Sequence, residues 1–429
     1  MKAVALRCIR CGATYPTDSA FKGCDRCRET GKPCNLQVQY NDAEFLPAVR
    51  QVAGSSRTPA SMWHYRDLLP IDPDNLTTLG EGGTPLLPAP RLGAAYGVPN
   101  LWLKDESRNP TGSFKDRLAA AAVSAARQLG RQVVVGSSSG NAGAAVAAMA
   151  ARAGLPCVMF TTQSFPLTMK TQMGVYGTYL VAAPTTRDRW HLMEAGVDQL
   201  GWFPITVFSY PFFGSNTYGI EGYKTIGYEI ADQAPDLPTD IVFPVGAGDA
   251  FSGAYKGLAE YHRAGALPKV PRMHAAEVYG PLEHALAKGL DYVEEIDTHG
   301  HQTVAVSVGS NLSTYQALDV LKRTGGSARS ASNEDMLQAQ ADLAALEGIW
   351  VETSSALSVA VLPKLIQAGA IDPAGPVVAV LTSHGLKDPE TTAAVLPPIP
   401  ASEANFESTL AALRDAYGFD PAQPARRLS

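Results

Sequence analysis

The sequence predicts an α/β protein built on open, mostly parallel sheets with flanking helices, preceded by a small cysteine-rich module. Three observations carry that prediction. From about residue 101 onwards, short apolar runs alternate with Ala-rich amphipathic stretches. Several of the turns joining them are rich in glycine, as in "VVVGSSSGNAG" and "FPVGAGDAFSG". Five of the 6 cysteines fall within the first 34 residues. Repeated strand–turn–helix units bury their strands on both faces and join them by right-handed crossovers.

Taken in chain order, residues 1–45 form the cysteine module. Cys8-x-x-Cys11 and Cys24-x-x-Cys27 read as two knuckles supplying four thiolates to one tetrahedral zinc. Four protein ligands leave no open position, so the expected ion is structural. Cys34 is then spare, or a substitute ligand. A connecting segment with Pro70, Pro73 and the turn "LGEGGTPL" (79–86) follows. "NLWLKDE" reads as a strand, and "GSFKDRLAAAAVSAARQLG" as a helix closed by Gly130. "QVVVGSSS" is a buried strand entering a glycine turn and the helix "NAGAAVAAMAARAG". "PCVMFTT" and "TYLVAA" are strands, followed by the helix "DRWHLMEAGVDQLG". "DIVFPVGAGDAFSGAYKGLAEYH" repeats the strand, glycine turn, helix order, and "PVVAVLTSHG" closes the series. A tail with an amphipathic helix, "FESTLAALRDAYG", occupies 401–429.

Composition limits the function. The 429 residues allow two or three domains, and 45% hydrophobic with 18% charged residues is ordinary for a globular chain. A net charge of −6 offers no general attraction to nucleic acid or anionic membrane. No stretch approaches the roughly 18 to 20 apolar residues of a membrane helix. "MKAVALRCIRC" opens like a signal peptide, but Arg7 and Arg10 interrupt it. The expectation is a cytoplasmic protein with a small-molecule ligand, and with neither nucleic acid nor a membrane as partner.

In open parallel sheets, ligands bind where strand C-terminal ends meet helix N-termini. That singles out the turns at 111–116, 136–142, 245–250 and 382–385. "PVGAGDAFSG" places Gly246 and Gly248 before a helix, where inward N–H groups and the helix dipole suit a phosphate. "SSSGNAG" (137–143) supplies more polar groups than a helix cap at Ser139 or Asn141 needs, so a carboxylate cradle is the better reading. Lys115 in "TGSFKDR" stands in a first helical turn, where the dipole disfavours a cation. Both the dipole and burial lower an amine's pKa, as a Schiff-base lysine requires.

"NPTGSFKDR", "SSSGN", the loop 246–250 and "LTSHGLKD" occur in the order and spacing of the fold type II pyridoxal-phosphate enzymes. "LGEGGTPL", "EGYKTIGYEI" and "EGIWVETSSALSVAVLPKL" resemble stretches of the threonine synthases within that group. The resemblance spans residues 1 to 397. It implies the fold type II architecture, with a large cofactor-binding domain from 46–130 and 216–400, a small domain from 131–215, and a homodimer. It implies pyridoxal phosphate bound covalently to Lys115, which also serves as the base. Asn141 would bond the cofactor's phenolic oxygen, and Gly246, Ala247, Gly248, Asp249 and Ala250 would line its phosphate. Thr382 would face its pyridine nitrogen. Ser138, Ser139, Gly140 and Asn141 would receive the substrate carboxylate.

The sequence departs from the family at one place. The threonine synthases hold their substrate's phosphate partly with a motif resembling Asn-Ser-x-Asn-Pro-x-Arg-x-Glu-Gly. Aligned on Glu221-Gly222, this chain reads Phe213-Gly214-Ser215-Asn216-Thr217-Tyr218-Gly219-Ile220. Losing the arginine removes the strongest charge-assisted contact to a phosphate. Asp249 adds a carboxylate beside the glycine loop, while Arg187, Arg189 and Lys170 are the cations that would compensate. The expected activity is a lyase or synthase acting on an amino acid by α-proton removal and β- or γ-elimination or replacement, with O-phosphohomoserine disfavoured. The alternatives are a threonine synthase with a divergent phosphate pocket, a serine/threonine ammonia-lyase, and, outside enzymes, a zinc-ribbon nucleic-acid-binding protein.

Overall fold

A computed structural model describes residues 1–19 and 21–422. The tail helix runs Phe406–Tyr417, and the last stretch of the predicted tail, 423–429, lies outside the described residues.

Two sheets form the body. The larger has the strand order Ala328–Ser330, Arg272–Glu277, Asp240–Pro244, Val377–Leu381, Leu101–Asp105, Leu86–Pro88. All its pairings are parallel except the last, which is antiparallel. The central strand Asp240–Pro244 is buried throughout, and Ile241 lies between Met273 and Val378 on its neighbours. The smaller sheet is parallel in the order Tyr179–Ala183, Cys157–Thr162, Val134–Ser137, Phe203–Pro204. Cys157 is a core residue of its strand.

Among the elements that escaped the periodicity reading, two did so for a plain physical reason. The strand Arg272–Glu277 reads "RMHAAE", and its Arg and His break the apolar run. Both pair with Asp240 on the adjacent strand, Arg272 Nε and His274 Nε2 each 2.8 Å from Asp240 Oδ1. The helix Thr217–Gln233 carries Gly219, Gly222 and Gly227, which weaken its intrinsic propensity. Packing forms it instead: it lies between helices Lys115–Gln128 and Asp249–Arg263. A Cβ on Gly222 would stand 2.1 Å from the Arg117 carbonyl oxygen, so only glycine permits that approach.

The N-terminal module is a three-stranded antiparallel sheet, ordered Thr14–Tyr15, Ala5–Cys8, Leu36–Gln39, with a short helix Asp25–Glu29 at the second knuckle. It is sutured to the body. The Phe21 ring meets Phe203 edge-on at 4.9 Å, Tyr218 donates to the Thr17 carbonyl, and Tyr292 to the Pro33 carbonyl.

Candidate active site

The predicted turns converge on one cleft of about 490 Å³, between the strand ends of the two sheets. Lys115, Ser138, Ser139, Gly140, Asn141, Gly246, Ala247, Gly248, Asp249, Ala250 and Thr382 all line it.

Lys115 is the first residue of helix Lys115–Gln128, and the residues beside it explain how it is presented. Asp116 turns back to accept from the Thr111 N–H at 2.7 Å and the Thr111 hydroxyl at 2.6 Å. Burial holds its carboxyl up at about 6. Arg117 is fully buried and forks onto two carboxylates, Glu106 and Glu229, with four contacts of 2.7 Å. The turn is therefore fixed on both sides of Lys115, while Lys115 itself is left free. Its Nζ has no hydrogen bond or ion pair among the described residues, and lies 4.4 Å from the Phe114 ring centroid. Burial lowers its pKa from the ordinary lysine value, and the charges of Asp249 and Glu352 oppose that fall.

The glycine loop is shaped by what holds its carbonyls. Ser313 donates to the Gly246 oxygen at 2.7 Å and Thr314 to the Ala247 oxygen at 2.6 Å. Gly248 has φ +85°, a left-handed conformation that a side chain strains, and caps helix Asp249–Arg263. With the carbonyls engaged behind, the backbone N–H groups from Gly246 to Phe251 have no acceptor among the described residues. Such a row at a helix start is an anion cradle.

The opposite loop works differently. Ser138 Oγ accepts from the Gly140 and Gly143 N–H groups, so Ser138, not Ser139 or Asn141, does the capping. Ser139 Oγ instead meets Arg189 Nη1 at 2.9 Å. Asn141 Nδ2 donates to Glu352 at 2.7 Å and more weakly to Ser307 at 3.5 Å, and its Oδ1 is buried without a partner. Thr382 Oγ1 lies 2.8 Å from Ser355 Oγ.

Of the lining residues that had not been singled out as site residues, three bear on its chemistry. Glu352 gathers Asn141, Ser307 and Ser383 around one buried carboxylate. Lys387 is 6% exposed, bonds Gln172 Oε1 at 2.7 Å, and has its amine lowered to about 8 by burial. Arg189 was named only as a compensating cation, and burial lowers its pKa as well. Neither cation has a carboxylate within ion-pair distance among the described residues. Arg187 stacks over Tyr210 and Lys170 is exposed, and neither lines the cleft. His384 caps the turn Gly385–Lys387 through Nδ1, and Trp350 and Tyr218 also lie outside the lining.

The segment 213–219 is absent from the lining too. Phe213 is buried with Phe208 and Phe160, and Asn216 caps helix Thr217–Gln233. Gly219 packs on Leu118.

In the N-terminal module the sulfurs of Cys8, Cys11, Cys24 and Cys27 lie within 4.8 Å of one another. Cys8–Cys27 are 3.6 Å apart and Cys11–Cys24 3.5 Å. Tetrahedral ligands about 2.3 Å from zinc would be about 3.8 Å apart, which this cluster matches. Cys34 is buried beside the cluster and is not part of it.

Residues 77–383 match the family of pyridoxal-phosphate dependent enzymes. A threonine synthase of Methanosarcina acetivorans is 34% identical over 410 residues, 94% of this chain and 97% of that one. A threonine synthase of Methanocaldococcus jannaschii is 32% identical, covering 90% of this chain and 93% of its own length. Among solved structures, maize serine racemase superposes with a TM-score of 0.61 at 21% identity, covering 70% of this chain and 88% of that one. Diaminopropionate ammonia lyase of Escherichia coli gives 0.61 at 18%, covering 73% and 87%. These structures share the two-sheet α/β fold. The cofactor that names the family suits what the cleft leaves unpaired among the described residues: a free amine and a row of N–H donors. The chain belongs to the pyridoxal-phosphate dependent enzymes and is threonine synthase-like.

Proposed function

We propose that the chain is a pyridoxal-phosphate-dependent lyase or synthase that removes the α-proton of an amino acid and then eliminates or replaces a β- or γ-substituent. The observation that carries this reading is a single cleft where the unpartnered Lys115 amine faces the free N–H row of the glycine loop. Bound pyridoxal phosphate supplies an electron sink for charge left on the α-carbon. The chain supplies the rest. Gly246 to Ala250 would hold the phosphate, and Asn141 would donate an Nδ2 proton to the phenolic oxygen in place of its weak 3.5 Å contact with Ser307. The N–H groups around Ser139 and Asn141, with the Ser138 and Ser139 hydroxyls, orient the substrate carboxylate. Burial keeps a neutral Lys115 amine accessible, so it can take the α-proton. Thr382 presents a hydroxyl to the pyridine nitrogen, and its own partner, Ser355, is a hydroxyl as well. No carboxylate then forces that nitrogen to stay protonated, which favours passing charge to a leaving group. Cys8, Cys11, Cys24 and Cys27 hold a structural zinc in this reading, and the enzyme is a cytoplasmic homodimer.

On the substrate, Gly219 in place of the family's arginine argues against O-phosphohomoserine. A second reading, a threonine synthase with a rebuilt phosphate pocket, is favoured by Arg189 and Lys387, two cleft cations without a carboxylate partner. One experiment separates them: titrate holoprotein with phosphorylated and plain amino acids, following the cofactor spectrum and the products. Threonine from O-phosphohomoserine selects the second reading. Keto acid and ammonia from serine or threonine select an ammonia-lyase. A colourless protein that takes up no pyridoxal phosphate rejects the enzyme altogether.

A further inference from the structure

A carboxylate at the mouth of an anion cradle poses an electrostatic problem, because Asp249 starts the very helix whose first N–H groups face the phosphate position. Its side chain is 5% exposed and fully engaged. Oδ2 accepts from the Ser215 N–H at 3.0 Å, and Oδ1 from Gln316 Nε2 at 3.3 Å. Gln316 Nε2 also donates to the Phe213 carbonyl at 2.9 Å. From the other side, Asn35 Nδ2 donates to the Ser215 carbonyl at 2.9 Å. Asn35 belongs to the N-terminal module, directly after Cys34.

These contacts meet at Gly214. Its φ is +119°, and a Cβ there would stand 2.5 Å from Asp249 Oδ1, 2.6 Å from Gln316 Nε2 and 2.8 Å from Asn35 Nδ2. The peptide on either side of Gly214 is thus clasped by the module, by the helix Tyr315–Thr324, and by Asp249 of the cradle. The segments behind Gln316 also carry Ser313 and Thr314, which hold the loop carbonyls. This is what occupies the place of the family's substrate-phosphate motif.

We propose that Asp249 is a positioning residue for the cofactor-phosphate cradle, anchored through Gly214–Ser215 to Asn35 of the N-terminal module. The proposal rests on the reading that residues 246–250 hold the cofactor's phosphate. It makes a prediction opposite in sign to simple electrostatics. Removing a negative charge beside a phosphate should tighten binding; releasing the clasp should loosen it.

The test is pyridoxal-phosphate affinity, together with the 31P resonance of the bound phosphate, for wild type, Asp249→Asn, Asn35→Ala and the double variant. Asp249→Asn is expected to weaken the cofactor about tenfold and Asn35→Ala about threefold, with a shifted or broadened 31P line in both. Asn35 lies outside the cleft lining, so a change in the line reaches the phosphate only through the clasp. The double variant should lose no more than Asp249→Asn alone, because both break one chain of contacts. Affinity equal to or tighter than wild type in Asp249→Asn overturns the proposal, as do additive losses in the double variant. Melting curves identify any variant that fails to fold, and for such a case Gly214→Ala provides the same disruption with Asp249 intact. Failure of the underlying reading is distinct: wild type itself would bind no cofactor.

Discussion

Lys104 and Lys115 are eleven positions apart, and burial lowers the pKa of both from the usual lysine value. Their surroundings differ completely. Lys104 is sealed into the body, its Nζ bonded to Glu229 at 2.7 Å, the Thr84 carbonyl at 2.6 Å and Gln233 at 2.8 Å. All of its donors are used. Lys115 is held by its neighbours in sequence, faces a cleft, and bonds to nothing among the described residues. A depressed pKa alone would rank the two lysines together. Satisfaction of the amine separates them, the first as part of the scaffold and the second as the proposed reactive group.

The contrast predicts opposite phenotypes. Lys115→Ala should abolish covalent cofactor uptake and lower activity by about 10³-fold or more. It should leave stability within about 1 kcal/mol, since no hydrogen bond or ion pair of Nζ among the described residues is lost. Cofactor absorbance and a thermal melt on the same sample check this. Arg117→Met should do the reverse, leaving Glu106 without a cation and Glu229 with Lys104 alone, at a cost of about 3 to 5 kcal/mol in urea unfolding, while the folded fraction still takes up cofactor. If Arg117→Met leaves stability unchanged, the scaffold half of the comparison is wrong.

Lys387 lies between these extremes, a buried cleft amine bonded to a single amide. Its folded-state pKa, about 8, is below that of a free lysine. Between the two values the unfolded chain binds the extra proton, so this group makes stability rise with pH across that window and weakens the fold below it. Function should run the other way. If the Lys387 cation draws an anionic substrate group, kcat/KM should fall about tenfold from pH 7 to pH 9. Lys387→Met should be low and flat over the same range. The smallest effect belongs to Thr382→Ser, which keeps the hydroxyl and should change kcat by less than about threefold.

That the glycine loop, Lys115 and the turn at 136–142 meet in one cleft was legible in the sequence because each is a local pattern at a strand end. Glu352 was not. It sits within "EGIWVETSSAL", and its role comes from three partners far apart in the chain: Asn141, Ser307 and Ser383. Lys387 stands in "LTSHGLKD", the run that also supplies Thr382, yet nothing in its spacing marks it as a cleft residue. The helix Thr217–Gln233 was hidden by its glycines, whose purpose is visible only when the Arg117 carbonyl is seen against Gly222. Residues 213–219 drew notice as a departure, but sequence could not show that Phe213 packs in a core and that Gly214 joins two modules.

The central claim is that Lys115, of the two desolvated lysines flanking this turn, carries the cofactor. Borohydride reduction of the holoprotein, followed by proteolysis and mass spectrometry, locates the attachment directly. A single pyridoxyl modification is expected, on Lys115 in the peptide spanning "NPTGSFKDR". A label on Lys104 or Lys387, or on no lysine, would contradict it.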